Sequence, residues 1–133
     1  MPDSELSSSP RGRILVADDE PHIRRILATL LESGGFAVDQ VEDGTAAVER
    51  LCGGTPYRMA LLDLMMPGFT GLEILEKVQS LPHRSDLAVV VLTAKGQDAD
   101  REAAFRLGAR EFITKPFSPK KLLARIGQLL DAL

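Results

Sequence analysis

The chain has 133 residues, 44% apolar and 26% charged, with a formal net charge of −3. That length suits one domain able to bury a core, and the mixed, slightly acidic charge excludes a broad nucleic-acid surface. No apolar run nears the ~20 residues of a membrane span; the single Cys52 cannot make an internal disulfide, and the acidic, Ser-rich start lacks an apolar signal core, so a reducing cytoplasm suits the chain.

Residues 1 to 11 read as a disordered tail rich in Ser and Pro, and 12 to 133 as the ordered domain. Ile14 to Ala17 form a short apolar run, the mark of a buried strand, and Asp18 and Asp19 follow on its end. Pro21 suits the first turn of a helix. Ile23, Ile26, Leu27, Leu30 and Leu31 then recur at helical spacing until Gly34 and Gly35 stop them. Residues 36–41 alternate weakly, as a second strand ending in Glu42 and Asp43, and 44–54 read as a short helix closed by glycines. The run "MALLD", residues 59–63, is a third strand with a carboxylate on its tip. A third helix over 71–81 carries Leu72, Leu75 and Val78 on one face. Residues 87–94 are the most apolar strand. The fourth helix, 98–109, has a weak apolar face of Ala103, Ala104 and Leu107, and 110–114 is a fifth strand. Ser118 caps a last helix with Pro119 at its first position; Leu122, Leu123, Ile126, Leu129, Leu130 and Leu133 line it. His22 and His83 read as surface residues and Cys52 as a buried helix residue.

Apolar strands alternating with amphipathic helices imply a parallel sheet covered on both faces. Right-handed crossovers make it an α/β doubly wound fold, with working residues at the carboxyl ends of the strands. Asp18, Asp19, Asp63, Thr93 and Lys115 then share one rim. Each alone has an ordinary reading: the acid pair as a helix cap, Thr93 as a β-former, Lys115 as a surface lysine. Together, three anions repel and need a cation. Lys115 supplies one charge, and carboxylates without His or Cys ligands favour Mg²⁺ over zinc for the rest. Asp63, on the central strand between the acid pair and the Thr/Lys pair, is the candidate nucleophile for an aspartyl phosphate. The metal and Lys115 would offset phosphoryl charge, and Thr93 would hydrogen-bond one of its oxygens.

The segments "ILVADDE", "LLDLMMPGFTG", "VVVLTA" and "FITKPF" resemble the receiver domains of two-component response regulators, over residues 12 to 133. Each segment is weak alone; all of them in order are specific. The resemblance implies a flavodoxin-like fold of five parallel strands in order 2-1-3-4-5 with five helices, and a phosphoryl group donated by a sensor histidine kinase or a phosphotransfer protein. Asp63 is then the phosphoacceptor. Asp19 binds Mg²⁺ directly, Asp18 through water, and Asp63 and the backbone carbonyl of Met65 complete the protein ligands. Thr93, Ala94 and Lys115 hold the phosphoryl group, and Lys115-Pro116 is a cis peptide bond. Thr93 and Phe112 form the switch acting on the face of helix four, strand five and helix five. Side chains at Met65 and Lys95 influence the lifetime of the phosphorylated state.

Two other classes stay open at this stage. A haloacid-dehalogenase-like phosphatase also uses an aspartyl nucleophile, but wants a second Asp two residues on, where this chain has Met65. A nucleotide- or flavin-binding domain wants a Gly-rich turn after strand one, where this chain has "DDEP". Within the receivers, "ITKPFSPKKLLARI" is closest to the winged-helix transcription-factor class, which dimerises through charged pairs on its output face. Arg110 and Lys121 stand where that class usually carries acids, which speaks against the standard dimer and for an acidic partner. No DNA-binding domain lies within these residues, which suit either a chemotaxis-regulator-like single domain or a piece of a longer protein.

Overall fold

The computed structural model describes residues 11–94 and 97–131. The tail up to residue 10, Lys95 and Leu133 lie outside them. Five parallel strands, β1 (Arg13–Ala17), β2 (Ala37–Val41), β3 (Met59–Asp63), β4 (Ala88–Thr93) and β5 (Glu111–Thr114), form one sheet in the order β2-β1-β3-β4-β5. They alternate with α1 (Pro21–Ser33), α2 (Gly44–Cys52), α3 (Gly71–Gln79), α4 (Asp98–Arg106) and α5 (Pro119–Asp131), and a 3₁₀ turn over Pro82–Arg84 precedes β4. Arg11, assigned to the tail on sequence, packs onto the domain: its guanidinium donates to the Gly34 carbonyl at 3.1 Å and lies over the Phe36 ring.

Side chains alternate across each strand, and so divide the core in two. Leu15, Ala17, Ala60, Leu62, Val89 and Val91 face α2, α3 and α4, meeting Leu51, Ile74 and Ala104. Ile14, Val16, Met59, Leu61, Val90 and Leu92 face α1 and α5, meeting Leu27, Leu31, Ile126 and Leu130. The helices are held unequally. α5 buries Leu122, Ile126, Leu129 and Leu130, whereas α4 buries only Ala104. At roughly 1.5–3 kcal/mol per fully buried large aliphatic side chain, α4 has much the weaker hold.

Two details correct the sequence reading. Cys52 is exposed, because Leu51 takes the core position at the end of α2 and the next residue turns about 100° away. On α3, Ile74 is fully buried beside Leu75 and Val78, while Leu72 is only partly covered.

Candidate functional site

Strand register builds the site. Ala17 pairs with Leu62, so the next residues, Asp18 and Asp63, emerge side by side. Asp63 pairs with Leu92, one step before Thr93, and Thr93 pairs with Thr114, one step before Lys115. Packing fixes Asp63 from behind. Gly71 opens α3 directly against β3, where an added Cβ would lie 2.8 Å from the Asp63 carbonyl oxygen. The intervening Pro67-Gly68 turn needs φ = +84° at Gly68, a conformation that suits glycine.

The residues converge as charges. Lys115 Nζ lies 2.7 Å from Asp18 Oδ2, 3.3 Å from Asp63 Oδ2 and 3.4 Å from Glu20 Oε1. Asp18, Asp63 and Thr93 are buried at 1%, 6% and 1% exposure, whereas the Glu20 side chain is 57% exposed at the rim. The Met65 N–H donates to Asp63 Oδ1, and the Met65 side chain lies open to solvent. Burial pushes the Asp63 carboxyl above the ordinary carboxylate range, and the nearby charge of Asp18 adds to it; the Lys115 ammonium and the Met65 N–H oppose this without cancelling it. Burial alone would lower the Lys115 pKa, but the bond to Asp18 and the charges of Asp63 and Asp18 outweigh it and leave it raised.

Asp18, Asp63, Thr93 and Lys115 therefore meet on one rim. Asp19 does not join the carboxylate group. Ligand oxygens of Asp18, Glu20 and Asp63 all lie within 4.8 Å of one another, and Asp19 is exposed outside that set. The cause is local. The Glu20 N–H donates to Asp18 Oδ1 at 2.9 Å, closing a two-residue turn that leaves Asp19 on the solvent side. Glu20 was missed on sequence, although a third acid in "DDE" was the available signal. Arg24, also missed, donates to the Asp18 carbonyl at 2.7 Å and steadies the strand end.

Ala94 follows Thr93 and is exposed. Phe112 is buried at 4% exposure; Arg101 of α4 donates to its carbonyl at 3.3 Å. The Lys115-Pro116 peptide bond is cis. His22 and His83 are exposed, and the His83 ring meets the Leu51 and Gly53 carbonyls at 3.0 Å. The donor set is all carboxylate, which fits a hard divalent ion such as Mg²⁺.

Comparison with known proteins agrees with the fold. The family model of the response regulator receiver domain matches residues 14–127. The chain is 39% identical over 125 residues to the transcriptional regulatory protein ResD of Bacillus subtilis, covering 94% of this chain and 50% of ResD. It is 42% identical over 118 residues to the phosphate regulon regulator PhoB of Escherichia coli, covering 89% of this chain and 51% of PhoB. The chain thus spans about half the length of these relatives. Among solved structures, the BeF3-activated DrrB receiver domain superposes with a TM-score of 0.80 at 28% identity, over 90% of this chain and 97% of that one. A CheY-like receiver domain protein from Methanospirillum hungatei gives 0.84 at 26% identity, over 91% and 94%. With the fold, the strand order and the matched segments in agreement, the chain belongs to the response regulator receiver domain family of two-component signalling.

Proposed function

We propose that the chain is a phosphorylation switch in which Asp63 accepts a phosphoryl group from a phosphohistidine, on a sensor histidine kinase or a phosphotransfer protein. A carboxylate oxygen of Asp63 forms the new bond to phosphorus. The bond from phosphorus to the donor's imidazole nitrogen breaks, and the ring keeps the electron pair. The observation that carries this reading is the convergence of the buried Asp63 with Lys115 at 3.3 Å and with Asp18. Asp18, Asp19, Asp63 and the Met65 carbonyl would hold Mg²⁺, which when bound would supply positive charge against the transferring group. Lys115, Thr93 and the backbone at Ala94 bind the phosphoryl oxygens. Reaction is confined to this chain's own phosphorylation and dephosphorylation, and it takes place in the cytoplasm.

The new group adds roughly two negative charges. Thr93 moves toward them and Phe112 fills the space it leaves. The face of α4, β5 and α5 then changes shape and carries the signal to an output partner. The shallow burial of α4 suits such an element.

Intact mass after incubation with Mg²⁺ and acetyl phosphate tests the first step. Wild type is expected to gain one phosphoryl mass, Asp63→Asn none, and EDTA should remove the gain. An equal gain in Asp63→Asn would overturn the assignment. So would no gain in wild type together with no binding of beryllofluoride.

A further inference from the structure

At the amino ends of the strands, away from the rim that holds Asp63, two cavities of about 290 and 520 Å³ adjoin, with Arg110 lining both. We propose that this cleft docks an acidic segment of the output partner, which seats one apolar side chain in the smaller cavity and sets its carboxylates against Arg110 and Arg58. This rests on the reading of the chain as a phosphorylation switch.

Three observations carry it. The first is shape. Leu75 and Val78 of α3, with Leu87 and Val89 at the start of β4, line the smaller cavity. Its volume is at the small end of ligand pockets, roughly 300–1,000 Å³, and suits a single apolar anchor. The second is charge. Three guanidinium groups, those of Arg58, Arg84 and Arg110, line the cleft against one carboxylate, Asp86. Arg58 donates to the Arg11 and Leu130 carbonyls and Arg84 to four others, neutral acceptors that satisfy the N–H groups and leave the charges unopposed. Arg110 and Asp86 are exposed, and among the described residues neither they nor the other two arginines form an ion pair. Surplus positive charge beside an apolar floor complements an acidic peptide with one apolar anchor, and arginine is a residue type that concentrates binding energy at interfaces. The third is place. The cleft spans α3, anchored by Ile74, Leu75 and Val78, and the turn with Gly108 and Arg110 that follows the weakly held α4. Gln79 of α3 joins the two by donating to the Leu107 carbonyl. An occupant therefore touches both, and a movement of α4 changes its fit.

The test titrates the ¹⁵N-labelled full chain with a short synthetic peptide of glutamates around one leucine, and with its glutamine counterpart. Amide shifts are expected at Ser85, Leu87, Gly108 and Arg110, with binding at least fivefold weaker for the glutamine peptide and for Arg110→Glu, the loss shrinking at high salt. Arg25→Glu, exposed on α1 across the sheet, should bind as wild type does. Thermal melting should show Arg110→Glu folded, since Arg110 is exposed. Beryllofluoride should tighten the glutamate peptide at least threefold. Equal binding of the two peptides, no shifts at millimolar peptide, or loss in Lys121→Glu with Arg110→Glu unaffected would overturn the proposal. So would self-association of the chain alone that Arg110→Glu abolishes, since a second copy then fills the cleft. Unchanged affinity in chain that has bound beryllofluoride would overturn the assignment to an output partner. The result is separable from that of phosphorylation: the peptide titration needs no phosphoryl group, and Asp63 can accept one whether or not the cleft is filled.

Discussion

Asp63 is a carboxylate held against its own preference, since burial and the charge of Asp18 both raise its pKa. A folded-state pKa above the unfolded one means that ionisation costs stability. The cost is absent at pH well below the ordinary value of 3.8 and is complete once the pH passes the raised folded value. Asp63→Asn removes it. The variant should therefore melt above wild type at pH 7, with the gain shrinking as the pH falls toward 3.8, measured by thermal unfolding without divalent ions. A variant less stable than wild type at pH 7 would mean that the pairing with Lys115 outweighs the burial. Lys115 shares the sign of this dependence, though at far higher pH. Its raised pKa contributes stability below its ordinary 10.5 that is lost as the pH climbs through the folded value. Asp18, Asp63, Thr93 and Lys115 were legible as a group because parallel topology carries every strand end to one rim. That Glu20 rather than Asp19 falls within the close carboxylate group was not legible, because a turn closed by one Asp18–Glu20 hydrogen bond decides it.

Elements were legible where one period ran through them. The continuous apolar strands and the long stripe of α5 follow from sequence, and "MALLD" matches β3 residue for residue. What escaped was a charged residue used as a structural part. Arg84, in the 3₁₀ turn, is 4% exposed and donates to four carbonyls, those of Leu51, Thr55, Arg50 and Gly53. Three of these belong to the end of α2 or the residue after it, so Arg84 closes that helix from another part of the chain. Burial lowers its pKa, yet the carbonyl oxygens satisfy its N–H groups. Nothing in sequence separates such an arginine from a solvated one. Arg84→Met keeps much of the volume and leaves those oxygens without their donor. It should cost about 2–4 kcal/mol in urea unfolding, by the loss of several buried hydrogen bonds. A cost under about 0.5 kcal/mol, the range of an ordinary surface change, would show that water or the α2 backbone replaces the arginine.

For the molecule as a whole, the two faces of the sheet divide anchoring from response. α1 and α5 share a large aliphatic core, while α4 rests on Ala104 beside the edge strand β5, with Arg101 reaching from α4 to the Phe112 carbonyl. Under the proposed switch, a change at Thr93 would pass to β5 through the Thr93–Thr114 register and meet the least anchored helix. What the moved face then binds depends on its charge. A two-fold dimer must be self-complementary, each residue finding its partner on the same patch of the second copy. Arg110 and Lys121 are both exposed, and Glu111 on this face is already taken by Arg125 within the chain at 2.8 Å. Two copies would set unpaired cations where the winged-helix class places acids. The beryllofluoride-bound protein should therefore stay monomeric in sedimentation velocity at concentrations where Arg110→Asp combined with Lys121→Glu dimerises. Added salt should narrow the difference between the two, because screening weakens repulsion between exposed charges. Wild type that dimerises as tightly as the double variant would show that apolar contact on this face, such as the half-exposed Phe105, outweighs the charges. If wild type stays monomeric, the same cations favour an acidic output partner over a second copy of the chain.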